Sequence, residues 1–153
     1  MSITAQLRAG ITTGSAEETR ALAAIFAPTL PPDTTLALHG DMGVGKTTFV
    51  QGLARGLAVP EQITSPTFAI YSIYRGAART LVHLDAYRLE NERQIEALLL
   101  DEFLISPWVL AVEWPEKIAA WLPANALHLT LSLVDEEAAT DQPATCRHHL
   151  VLR

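Results

Sequence analysis

The sequence predicts an α/β fold, a central mixed and largely parallel sheet flanked by helices and carrying a β-hairpin, and three observations predict it. A β-prone run over residues 34–39 stops at a glycine-rich segment, after which Phe49, Val50, Leu53 and Leu57 fall at helical spacing. Residues 108–112 (WVLAV) are a continuous apolar run of the kind buried on both faces of a parallel sheet. Residues 67–74 alternate, turn through Arg75-Gly76-Ala77 and continue into 80–83, which is the pattern of a hairpin.

The remaining elements follow in chain order. Residues 2–11 alternate loosely and are expected to form an edge strand; Ser15 and Glu18 then have capping-box spacing and open a helix that runs to about residue 27. Pro28, Pro31 and Pro32 end that helix before the first buried strand. Residues 92–104 are expected to be helical, with Ile95, Leu98, Leu99 and Phe103 as the core face. A short helix over 115–122, a strand over 127–134, a polar loop over 135–145 and a last strand over 148–152 complete the chain. With 153 residues and neither repeat nor linker, the expected organisation is one domain over residues 1–153.

Composition narrows the function. Hydrophobic residues make up 49% and charged residues 18%, enough to build a core and too little charge for a disordered chain. The net charge is −6 and only Lys46 and Lys117 are lysines, so direct nucleic-acid binding is expected to be weak or absent, since such contacts need clustered cations. No signal-like apolar run opens the sequence and no stretch reaches membrane-span length, so a cytoplasmic protein with no membrane association is expected. The lone Cys146 agrees with a reducing compartment.

The chemistry concentrates in Gly40-Asp41-Met42-Gly43-Val44-Gly45-Lys46-Thr47, followed by Thr48, which satisfies G-x-x-x-x-G-K-[ST]. Glycines let backbone N–H groups close around phosphate oxygens, and the following helix turns its positive end toward them. Lys46 is expected to clamp the β- and γ-phosphates, and the Thr47 hydroxyl to ligate a bridging Mg²⁺. The strand-loop-helix context makes the fold P-loop NTPase-like. Neither lysine stands in the guanine-reading pattern of GTPases, so ATP is favoured over GTP by elimination.

A P-loop hydrolase also needs a carboxylate near the metal and a group that positions water, both usually at strand ends beside the loop. Asp85 and Glu113 stand at such ends, Glu113 where a Walker B acid would; each has the alternative reading of a polar residue capping the next turn. His39 and His83, as lone strand histidines, read as hydrogen-bonded structural residues.

Four blocks, GDMGVGKTTF from Gly40, Ser65-Pro66-Thr67-Phe68, HLDAYRL from His83 and Val112-Glu113-Trp114-Pro115-Glu116, together resemble the bacterial TsaE (YjeE) ATPases required for threonylcarbamoyladenosine formation in tRNA. The resemblance covers about residues 15–130 and departs from the usual loop only at Met42 and Val44, whose side chains are expected to face away from phosphate. It implies ATP and Mg²⁺ as cofactors, a TsaD–TsaB type partner complex, a metal site that includes Thr47 and Glu113, and Asp85 as a catalytic or switch carboxylate. It also suggests Thr67 as a switch residue, against the alternative of a strand-entry turn after Pro66, and Trp114 as an aromatic beside the metal, against the alternative of core packing. The residues alone leave two other functions open: a P-loop small-molecule kinase, for which the stretch 113–134 lacks a lid arginine, and a nucleotide-dependent binding module with incidental hydrolysis.

Overall fold

A computed structural model of the chain describes residues 1–66, 70–134 and 147–153. Seven strands, β1 (Ile11–Thr13), β2 (Thr34–His39), β3 (Tyr71–Arg75), β4 (Thr80–Asp85), β5 (Trp108–Glu113), β6 (Leu127–Val134) and β7 (Arg147–Leu152), form one sheet in the order β1-β7-β6-β2-β5-β4-β3. The four central strands β6, β2, β5 and β4 run parallel, while β3, β7 and β1 pair antiparallel at the two sides. The architecture is thus a mixed, largely parallel sheet flanked by helices, with β3 and β4 as the expected hairpin.

Strand alternation divides the core into two layers. Leu36, Leu38, Leu81, Val109, Ala111 and Leu129 face the helices α2 (Ala16–Phe26) and α3 (Lys46–Gly56), where Phe26, Phe49 and Leu53 pack against them. Val82, Leu84, Leu110 and Val112 face the other way, onto Ile95, Leu100 and Ile118. The helices α2 and α3 cross closely because α3 presents small residues there: a Cβ on Gly52 would stand 2.4 Å from the Arg20 carbonyl oxygen. Ser15 caps α2 as expected, accepting from the Glu18 N–H at 3.1 Å, while Glu18 reaches back to the Gly14 N–H rather than to that of Ser15.

Two expectations are overturned. Residues 2–11 do not form an edge strand: Ile3–Ala9 is a helix, α1, capped by Ser2 and ended by Gly10 at φ 97°, and the edge strand is only Ile11–Thr13. Ile3 and Leu7 lie one turn apart, and Leu7 is fully buried against the sheet, which a helix achieves with a single apolar stripe. Residues 92–104 are not one helix either. The helix α4 spans Glu92–Glu96, the chain turns through Leu99 at φ 52°, and a 3₁₀ turn occupies Leu100–Glu102. Ile95 and Leu100 are both buried, five residues apart and so out of phase with one helical stripe; the break brings both inward and leaves Leu99 58% exposed. Phe103 is exposed as well.

Shorter differences concern element ends. The hairpin strand begins at Tyr71, and Thr67 to Ala69 lie outside the described residues, as does the expected polar loop over 135–145. The expected helix over 115–122 is a 3₁₀ turn at Pro115–Ile118.

Candidate functional site

The loop between β2 and α3 owes its course to backbone shapes that side chains disfavour. Gly40, Gly43 and Gly45 have φ of 142°, 83° and 101°. At Gly40 a Cβ would meet the Leu131 carbonyl oxygen at 2.4 Å and Val44 at 2.7 Å, so only glycine fits. Val44 turns its side chain into the core, as expected of a residue facing away from the loop mouth, and anchors the loop to the sheet. Met42 is 72% exposed and lies on the rim of the cleft. The first-turn N–H groups of α3 have no acceptor within the helix, and the helix dipole adds positive potential at the same end.

Strand alternation brings the acids to this end. His83 and Asp85, two apart on β4, share the α3 side of the sheet, and Glu113 at the end of β5 pairs in register with Asp85. Glu113 is 4% exposed; it accepts from His83 Nε2 at 2.8 Å and from the Thr47 hydroxyl, 3.2 and 3.3 Å from its two oxygens. His83 is fully buried, and its Nδ1 has no partner among the described residues, so the ring donates through Nε2 to Glu113. Asp85 is half-buried and accepts from the Tyr87 N–H at 3.0 Å.

Lys46, the first residue of α3, is 5% exposed. Its ammonium donates to the Gly40 carbonyl at 2.6 Å and sits 3.6 Å from the centre of the Trp114 ring. Burial pushes its pKa below that of an ordinary lysine, against the opposing pull of Glu113, Glu116, Asp85 and Asp41. Trp114 is placed by a left-handed backbone at φ 58° directly after β5, and its ring also packs on Tyr87.

A cleft of about 400 Å³ opens here. Of the residues singled out from the sequence, Met42, Gly43, Gly45, Lys46, Thr47, Thr48, Asp85 and Glu113 line it, together with Ser65, Tyr87 and Trp114. Gly40, Asp41 and Val44 shape the loop without lining the cleft, and Thr67 lies outside the described residues. Trp114, which the resemblance suggests as an aromatic beside the metal against the alternative of core packing, lines the cleft and also packs against the core layer of Val82, Leu84 and Ile118, while His83 was expected only as a structural histidine and stands hydrogen-bonded to Glu113. The period-two spacing of His83 and Asp85 is the signal that links them. His39, by contrast, bonds His128 at 2.8 Å and does not line the cleft. Among the described residues no group of three or more His, Cys, Asp or Glu is arranged to hold a metal alone, and no helix is long and apolar enough to cross a membrane.

The chain is similar to known proteins in sequence and in fold. The family model described as threonylcarbamoyl adenosine biosynthesis protein TsaE matches residues 13–142. The tRNA threonylcarbamoyladenosine biosynthesis protein TsaE of Bacillus subtilis is 39% identical over 121 residues, covering 79% of this chain and 75% of that protein. The corresponding protein of Nostoc sp. is 37% identical over 124 residues, 78% of this chain and 75% of its own. A crystal structure of Bacillus subtilis YdiB superposes with a TM-score of 0.68 at 32% identity, covering 92% of this chain and 81% of that one. A family match over most of the chain, close relatives of similar length and a shared three-dimensional fold together establish that the chain belongs to the TsaE family, whose role lies in tRNA threonylcarbamoyladenosine biosynthesis.

Proposed function

We propose that the chain binds ATP with Mg²⁺ in this cleft and hydrolyses it, slowly and under partner control, in support of a TsaD–TsaB type complex that forms threonylcarbamoyladenosine in tRNA. The observation that carries the reading is the convergence of Lys46, Thr47, Asp85 and Glu113 on one cleft beside a loop of positive-φ glycines. Backbone amides and a helix N-terminus suit a polyphosphate. Lys46 exchanges its hydrogen bond to the Gly40 carbonyl for β- and γ-phosphate oxygens.

The Thr47 hydroxyl and the Glu113 carboxylate are hard oxygen donors in mutual contact, and together they would hold a Mg²⁺ that accompanies the nucleotide. When bound, that ion neutralises charge developing on the phosphates. His83 holds Glu113 in one orientation from the buried side. Asp85, half-buried on the cleft wall, orients the attacking water, and Thr67 is assigned as the switch that senses the γ-phosphate. With a net charge of −6, contact with tRNA falls to the partners.

The test is phosphate release by the pure protein, with and without Mg²⁺ and with and without the TsaD–TsaB type complex. A slow basal rate that requires Mg²⁺, rises with the partners and disappears in Glu113→Ala is expected. Absence of Mg·ATP binding, or hydrolysis indifferent to Glu113→Ala, would overturn the reading.

A further inference from the structure

The loop contains a peptide bordered by a glycine whose backbone lies in the left-handed region. Gly45 has φ 101° and precedes the first helical residue, and Gly43, at φ 83°, has nothing within 4 Å of where a Cβ would stand. Glycine tolerates both signs of φ, so the Val44–Gly45 peptide is a point at which such a loop can exchange an inward N–H for an inward C=O. A carbonyl oxygen presented to a phosphate would repel it.

One side chain opposes that exchange. His148 lies on β7, opposite Thr13 on β1 and Leu133 on β6, two residues before the buried Leu150 and on the same face of the sheet, toward α2 and α3. Its Nδ1 stands 2.8 Å from the Val44 carbonyl oxygen, and because a carbonyl only accepts, the ring must donate. The ring also backs Gly45, where a Cβ would come within 3.4 Å of Nδ1. In a trans peptide the C=O and N–H point to opposite sides, so fixing the Val44 oxygen on β7 sends the Gly45 N–H away from β7, and Gly45 lines the cleft.

We infer that His148 is a positioning residue for the phosphate loop, holding the Val44–Gly45 peptide so that the Gly45 amide is offered to the ligand. The inference rests on the nucleotide reading of the cleft. It places part of the site in β7, beyond residues 13–142 that the family model matches.

Affinity for Mg²⁺ with a non-hydrolysable ATP analogue, measured by calorimetry on the parent, His148→Leu and His148→Asn, tests it. His148→Leu, which fills space without a donor, should weaken binding about three- to tenfold, the worth of one net hydrogen bond. His148→Asn carries an amide donor close to the position of Nδ1 and should return to within about twofold of the parent. Leucine binding as tightly as the parent, or asparagine as weakly as leucine, overturns the inference while leaving the nucleotide reading standing; a parent that binds nothing overturns both. Should His148→Leu fail to fold, the parent still decides: the Gly45 amide resonance should move downfield on adding the Mg²⁺ complex, and an unmoved resonance overturns the inference.

Discussion

Asp85 and Glu113 end neighbouring parallel strands and stand opposite each other in register, yet the protein treats them differently. Glu113 is almost fully buried and bonded to His83 and Thr47, whereas Asp85 is half-buried and accepts one backbone N–H from the turn it begins. The difference comes from the neighbours of the strands. β5 lies between β2 and β4, so the end of β5 is enclosed by the loop on one side and His83 on the other, while among the described residues β4 has the hairpin strand β3 beyond it, at the sheet edge. A carboxylate enclosed in this way is held in one place, as a metal ligand must be. One at the cleft wall keeps access to water, as a group that orients a nucleophile must.

Removing each acid tests the roles that the proposed function gives them. Glu113→Ala is expected to lower the rate of hydrolysis by at least about a hundredfold, the scale of losing a charge-organising group, whereas Asp85→Asn should lower it by about tenfold. Measured turnover with the opposite ranking would break the comparison. Stability should follow the same order. Glu113→Ala leaves the buried His83 donor without its partner and should cost about 1–3 kcal/mol in denaturant unfolding, while Glu113→Gln keeps an acceptor and should recover most of that loss without recovering activity. Asp85→Asn still accepts from the Tyr87 N–H and should change stability by no more than about 0.5 kcal/mol.

The same contrast marks what was legible in the sequence. The course of the glycine loop could be read because its requirements are local: three positive-φ glycines, a strand before and a helix after. The two acids could be read because each terminates a recognisable strand. The bond between His83 and Glu113 spans 30 residues and exists only because β4 and β5 pair in that register, so the spacing of His83 and Asp85 hinted at it without naming the partner. The contact of His148 with Val44 spans 104 residues and depends on β7 returning beside β6, for which no local pattern exists. Where the fold was misread, tertiary burial overrode a local pattern: Leu7 at the N-terminus selected a helix, and Leu100 broke an expected one to reach the core.

The smallest expected effect is electrostatic and also divides the two acids. Lys46 titrates below the 10.5 of an ordinary lysine because burial disfavours its charge, and among the opposing carboxylates Glu113 acts more strongly than Asp85. A depressed lysine pKa means the unfolded chain holds that proton more tightly. The nucleotide-free protein therefore gains stability from this group as pH rises through the folded value toward 10.5, and loses that gain as pH falls back through it. Affinity for Mg·ATP runs in the opposite sense, since the phosphates need the ammonium, and it should begin to fall on the alkaline side before a free lysine would titrate. Glu113→Gln should move that fall to lower pH by more than Asp85→Asn does. Lys46→Arg should remove it, because a guanidinium stays charged throughout. Equal shifts in the two acid variants would mean that both carboxylates act on Lys46 through solvent alike, and that the enclosure of Glu113 has no electrostatic consequence at the phosphate site.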